Sequence, residues 1–175
     1  EGESTEKIVV ELGQESIPWW AKNVQGVVEK GSLVVALSRD QSDLLRFQRR
    51  TNNYTILKNE EVNQLEPDLK GKFKTGLFFK KEAHLSPRNS LIQLKKSLKQ
   101  KGVEFVKKEF EFGNYFKKNN EIIIDCRGLA SRDCQKNLRG VKGEMLMIDC
   151  PEINLTRPIR LLHPRIPIYS VPLSL

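Results

Sequence analysis

The stretch from Ser86 to Val106, SPRNSLIQLKKSLKQKGVEFV, constrains the fold more than any other part of the chain. Ser86 stands at a helix cap position. Pro87 follows in the first turn, where its missing N–H would be unpaired anyway and its fixed φ suits a helix. Leu91, Leu94 and Leu98 recur at helical spacing and predict a buried stripe, while Lys95, Lys96, Lys99 and Lys101 face water. Gly102 ends the helix and Val103–Val106 predicts a strand at once. A helix closing on glycine and passing directly into a strand has the order of an α/β unit.

The remaining elements follow from the same cues. Val10, Ile17, Trp20 and Val24 share one face of a helix over about 4–23. Pro18 either kinks that helix or sits in the first turn of a second one capped by Ser16. Val27–Leu37 predicts two short strands around a Lys30-Gly31 turn. Ser38 caps a helix to about Arg50 that buries Leu44, Leu45 and Phe47. Tyr54–Leu57 predicts a strand, Asn59 caps a short helix ended by Pro67, and Lys74–Phe79 predicts another strand. Glu109–Phe112, Tyr115–Lys117 and Ile122–Asp125 read as short strands, and the chain after Gly140 reads as mainly strand. Pro158, Pro164, Pro167 and Pro172 confine pairing there to edges and strand ends. The class is α+β, a helix–strand piece set in a largely antiparallel remainder.

Several function classes are disfavoured by composition. The 175 residues suit one ordinary domain with a real core. No apolar run approaches the roughly 20 residues a membrane helix needs, and no signal-peptide pattern opens the chain. The first residue is Glu rather than Met, which leads us to expect a fragment or processed product. Cys126, Cys134 and Cys150 include no C-x-x-C pair, so ordinary thiols and a reducing, cytoplasmic setting are expected. Neither His84 nor His163 has metal-ligand spacing with them, so no metal site is expected. No nucleophile partners either histidine in a hydrolase-like pattern, and both read as surface or structural residues. Much of the net charge of +8 lies in lysine pairs at 80–81, 95–96, 107–108 and 117–118, spread over several elements. Nucleic-acid surfaces cluster their charge, so a solvated lysine-rich surface is the favoured reading. A non-catalytic basic binding module is kept as the alternative from another class.

The run from Glu121 to Pro172 carries the functional signal. The apolar Ile122-Ile123-Ile124 leads into Asp125-Cys126-Arg127-Gly128, and a strand ending in a glycine turn lets backbone approach a bulky ligand. A tight Arg139-Gly140-Val141-Lys142-Gly143-Glu144 turn follows, and the run closes on Tyr169-Ser170-Val171-Pro172.

These three motifs resemble the middle of FAD-dependent glycine oxidases. That family of D-amino-acid-oxidase-like flavoenzymes includes the thiamine-biosynthesis oxidoreductases. Upstream, Gly31-Ser32-Leu33-Val34-Val35-Ala36, Val62-x-x-Leu65-Glu66-Pro67 and His84-Leu85-Ser86-Pro87-Arg88 occur in the family's order. The resemblance covers almost the whole chain.

It implies a D-amino-acid-oxidase-like substrate domain, with a mixed, largely antiparallel sheet, into which part of the FAD-binding α/β domain is inserted. Residues 1–85 and 139–175 would form the two parts of the substrate domain and 86–138 the FAD-domain segment. By resemblance the intact enzyme oxidises glycine to its imine, passing a hydride to FAD and then electrons to dioxygen, with release of peroxide. Sarcosine or another D-amino acid is the alternative substrate. The family's opening G-x-G-x-x-G is absent, since no three of the eleven glycines have that spacing. The family's later Gly-Arg-Pro-type segment, which supplies an arginine for the substrate carboxylate, is missing too. An internal fragment is therefore expected, one that alone neither holds FAD tightly nor turns over. Gly128 is expected beside FAD and Tyr169 at the substrate carboxylate. Arg157, Arg160 and Arg165 are expected at a surface or interface, and Trp19-Trp20 in packing. The expected partners are a small amino acid and dioxygen, with no nucleic acid and no membrane, and the full-length form is expected to be a homo-oligomer.

Overall fold

The structure is a computed structural model and describes residues 6–109 and 121–173. It divides into two compact units, Glu1–Glu104 with Pro151–Leu175, and Phe105–Cys150.

The first unit is a five-stranded mixed sheet with helices. Its strands are β1 (Ser32–Ala36), β2 (Thr55–Lys58), β3 (Thr75–Phe79), β4 (Ile159–Leu162) and β5 (Ile168–Ser170), in the order β2-β3-β1-β4-β5. Only the β1–β4 pair is parallel; β1–β3, β2–β3 and β4–β5 are antiparallel. The apolar run Leu33-Val34-Val35-Ala36 explains the central place of β1. All five of its residues are buried, as expected of a strand covered on both faces. Leu33 and Val35 point to one face with Leu57, Val62, Phe73 and Ile159. Val34 and Ala36 point to the other with Leu44, Leu77, Phe79 and Leu162.

Four helices accompany the sheet: α1 (Lys7–Asn23), α2 (Gln41–Arg49), α3 (Asn59–Leu65) and α4 (Pro87–Gln100). α1 runs through Pro18 as a single helix, and Ser16 Oγ donates to the Gly13 carbonyl at 2.7 Å just before it. α2 begins after a 3₁₀ turn over Ser38–Asp40, so Ser38 does not cap it directly. Asn59 does not cap α3 either. Glu61 Oε2 accepts the Lys58 N–H at 2.7 Å, and Asn59 Nδ2 donates to the Phe73 carbonyl at 2.7 Å. The Val62 side of α3 lies against Gly76 of β3, where a Cβ would meet Leu33 Cδ1 at 2.9 Å and Val62 Cγ2 at 3.2 Å. The Lys30-Gly31 turn forms as expected, with Gly31 at φ +73°, but its first arm is only a bridge between Val28 and His84.

Other expectations are corrected. The Leu91, Leu94, Leu98 stripe of α4 is not its buried side: Leu91 and Leu98 are exposed, whereas Ser90 is buried. The Ser90 side docks instead, with Gln93 exchanging hydrogen bonds of 2.8 and 3.1 Å with the backbone of Gln25. Gly102 ends α4 at φ +84°, and Val103 N–H closes back on the Leu98 carbonyl at 3.0 Å. No strand follows at Val103–Val106, whose apolar side chains stay largely exposed. None forms at Ile122–Asp125 or over 141–150. A strand needs a neighbour to take its N–H and C=O groups, and among the described residues none pairs with these segments. The expected strands at Glu109–Phe112 and Tyr115–Lys117 lie, save Glu109, outside the described residues.

In the second unit a 3₁₀ segment, Gly128–Asp133, is the regular element described. No described helix is long and apolar enough to cross a membrane. All three cysteines are free, and no described group of His, Cys, Asp and Glu could hold a metal.

Candidate functional site

Tyr169 lies on β5 directly opposite Arg160 of β4. Facing residues of an antiparallel pair point to the same side, so the phenol and the guanidinium stand together. That side is the Val34 face, because Arg160 is also the register partner of Val34 across the parallel β1–β4 pair.

Aromatic packing holds the guanidinium in place. Arg160 Cζ lies 5.0 Å from the centroid of the Phe47 ring, which projects from α2. Phe47 meets Phe79 edge-on at 6.2 Å, and Phe79 meets Tyr54 at 5.9 Å. A row of rings from the residue before β2, from β3 and from α2 therefore ends beneath Arg160. On the same face of β1, Ser32 Oγ donates to the carboxylate of Glu82, which follows β3.

Electrostatics set the state of Tyr169. Although the residue is 59% exposed, loss of water around the ring, then the negative charge of Glu82, raise its pKa above the ordinary 10.0, against the opposing pull of Arg160. At neutral pH the phenol keeps its proton and can donate. The arrangement thus combines a neutral O–H donor and a permanent cation, with a carboxylate near enough for its charge to be felt. An anionic group such as a carboxylate suits the first two.

β4 is held in register from the opposite side by a pair that sequence reasoning missed. Glu66 is fully buried, and its carboxylate accepts from Thr156 N–H at 3.1 Å, Thr156 Oγ1 at 2.5 Å and Arg157 Nε at 2.6 Å. Arg157 also donates to the Lys30 carbonyl at 2.6 Å and lies 5.5 Å from the Phe78 ring centroid. Arg157, expected at a surface or interface, is therefore a largely buried cation paired within the first unit. Glu66 immediately before Pro67 was the available signal, because a carboxylate leaving a helix end into the core needs a partner.

Two clefts open on the first unit. One of about 210 Å3 is lined by Lys30, His84, Ser86, Asn154 and Thr156. Burial and then the nearby Lys30 charge lower the His84 pKa below 6.5, and its buried Nδ1 has no hydrogen-bond partner among the described residues. The other, about 220 Å3, lies between α2 and the β4–β5 hairpin.

Gly128 belongs to the second unit and is described by itself. It adopts φ +60°, a conformation glycine takes without strain, and no described residue lies within 4 Å of where a Cβ would sit. Ser131 Oγ donates to its carbonyl at 2.7 Å. Arg127 clamps the turn by donating to Asp125 at 3.0 and 2.9 Å and to Asp133 at 3.0 and 2.8 Å. These bonds hold both carboxyls below their ordinary pKa and push the guanidinium higher still. The open side of Gly128 would admit a flat group against the backbone. No cradle for a pyrophosphate is present among the described residues, so the fit to a dinucleotide extends to one turn only.

The chain matches the FAD dependent oxidoreductase family over residues 2–174. It is 42% identical over 175 residues to the "Putative thiamine biosynthesis oxidoreductase ThiO" of Rhizobium etli, covering 98% of this chain and 52% of that protein. The chain thus spans about half the length of that curated relative. Among solved structures, glycine oxidase from Geobacillus kaustophilus matches at 20% identity and a TM-score of 0.35, over 50% of this chain and 25% of the other, a likeness too slight to carry an argument.

Proposed function

This chain belongs to the FAD dependent oxidoreductase family, and we propose that it is the substrate-side portion of a glycine oxidase. In this reading the whole protein oxidises glycine to its imine for thiazole formation in thiamine biosynthesis, with dioxygen as the electron acceptor and peroxide as product. Residues 1–85 and 139–175 belong to the substrate domain and 86–138 to the FAD-binding domain. The full-length protein works in the cytoplasm as a homo-oligomer.

The observation that carries the reading is the cross-strand pairing of Tyr169 with Arg160 on one face of the sheet. The phenol donates to the substrate carboxylate and Arg160 neutralises it. Both sit on short paired strands, which fixes the substrate by one end and leaves its Cα–H to be aimed. When bound, FAD supplies the two-electron acceptor, and Gly128 is the contact this chain offers it. The rest of the FAD site lies outside the motifs this chain carries.

Peroxide release by the full-length protein, assayed with glycine, sarcosine and D-alanine, tests the reading. Glycine is expected to give the highest kcat/KM. Preference for sarcosine or D-alanine would replace the substrate while keeping the class. Absence of flavin absorbance and of peroxide with every amine would overturn it.

A further inference from the structure

We infer that the cleft between α2 and the β4–β5 hairpin is a binding site for a small organic oxyanion, a carboxylate or phosphate monoester carried on a flat apolar body. This inference does not rest on the oxidase reading. The cleft holds about 220 Å3, and its walls are Phe47, Leu162, Pro164 and Pro167. Its polar lining is predominantly cationic or donating. Arg46 comes from α2, Arg50 from the turn that closes it and His163 from the hairpin, against the one carboxylate of Asp43, which lies 3.6 Å from Arg46. Arg50 makes no ion pair among the described residues.

His163 has a fixed orientation. Its Nδ1 accepts the backbone N–H of Arg165 at 3.2 Å and of Ile166 at 3.0 Å. The neutral ring therefore carries its hydrogen on Nε2, as a donor. The dipole at the C-terminal end of α2 accounts for basic residues there. It does not account for a histidine on a separate hairpin lining the same apolar pocket.

The test uses the full-length protein and fluorine NMR with 4-fluorophenyl phosphate and 4-fluorobenzoate as probes. A 4-fluorobenzyl alcohol arm lacks the charge, and an inorganic phosphate competition arm lacks the ring. Saturable binding of one or both aromatic anions is expected, weakened about tenfold or more by Arg50→Gln and by added salt. Arg46→Gln is the second variant, and thermal melting confirms that each variant folds. Tyr169→Phe is expected to leave this binding unchanged. Equal binding of the alcohol, equal affinity for inorganic phosphate, or indifference to both arginine variants would overturn the proposal. So would loss of probe binding in Tyr169→Phe, which would place the anion in the substrate pocket.

Discussion

Replacing Glu66 by alanine is the sharpest probe of how the fold holds its site. The carboxylate is fully buried and takes three donors from Thr156 and Arg157. Its removal strands a guanidinium whose side chain is only 11% exposed. Breaking a buried pair from one side costs about 3–5 kcal/mol. The low end applies, because Arg157 keeps the Lys30 carbonyl at 2.6 Å and its stacking on Phe78. About 3 kcal/mol is a large share of the roughly 5–15 kcal/mol that holds a domain together, and shifts Tm by about 6–12 °C for a chain of this size. Glu66→Gln keeps the shape and an acceptor but loses the charge, and should cost about 1–2 kcal/mol. Urea unfolding followed by far-UV circular dichroism measures both. In the double variant with Arg157→Ala the losses should not add, since each single change already breaks the same pair. A cost below about 1 kcal/mol for Glu66→Ala, or strict additivity with Arg157→Ala, would refute the reasoning.

Other outcomes follow from the same contacts. Gly76→Ala forces a methyl to 2.9 Å from Leu33 and 3.2 Å from Val62 and should cost about 1–3 kcal/mol. Gly13→Ala, in α1 with no described residue crowding the added methyl, should stabilise by about 0.5–1 kcal/mol; parallel thermal melts compare the two. The pKa values of Asp125 and Asp133 are depressed by Arg127, so their contribution is present above the unfolded value of 3.8 and is lost as pH falls through the lower folded values. Amide exchange at 128–134 should therefore accelerate only in acid, and Arg127→Gln should remove that pH step. His84 is also depressed, from 6.5, so the unfolded chain takes up its proton first as pH falls. Stability should decline below about pH 6.5, and His84→Gln should flatten that slope in urea titrations at stepped pH.

The central strands were legible because burial on both faces writes a plain signature. Leu33-Val34-Val35-Ala36 and Thr75–Phe79 became β1 and β3. The hairpin was half legible. Pro164 and Pro167 marked the turn, and counting outward from it pairs Arg160 with Tyr169, a step the motif reading did not take. The Glu66–Arg157 pair joins residues 91 positions apart, beyond the reach of any local pattern. α4 misled because its leucine spacing is helical whether or not a neighbour covers it; the docking side is Ser90 and Gln93, polar residues that periodicity ignores. The apolar runs at Ile122–Ile124 and Met145–Ile148 have strand-like composition, yet pairing is decided by a partner strand. None is supplied among the described residues.

The central claim is that the face carrying Tyr169 and Arg160 receives the carboxylate of an amino acid. Steady-state peroxide kinetics of full-length Tyr169→Phe against the parent test it most directly, with bound flavin quantified in both. Removing a hydrogen bond to a charged group, worth about 1.5–3 kcal/mol, should raise the KM for glycine about tenfold or more with flavin content unchanged. An unchanged KM and kcat at equal flavin loading would contradict the account.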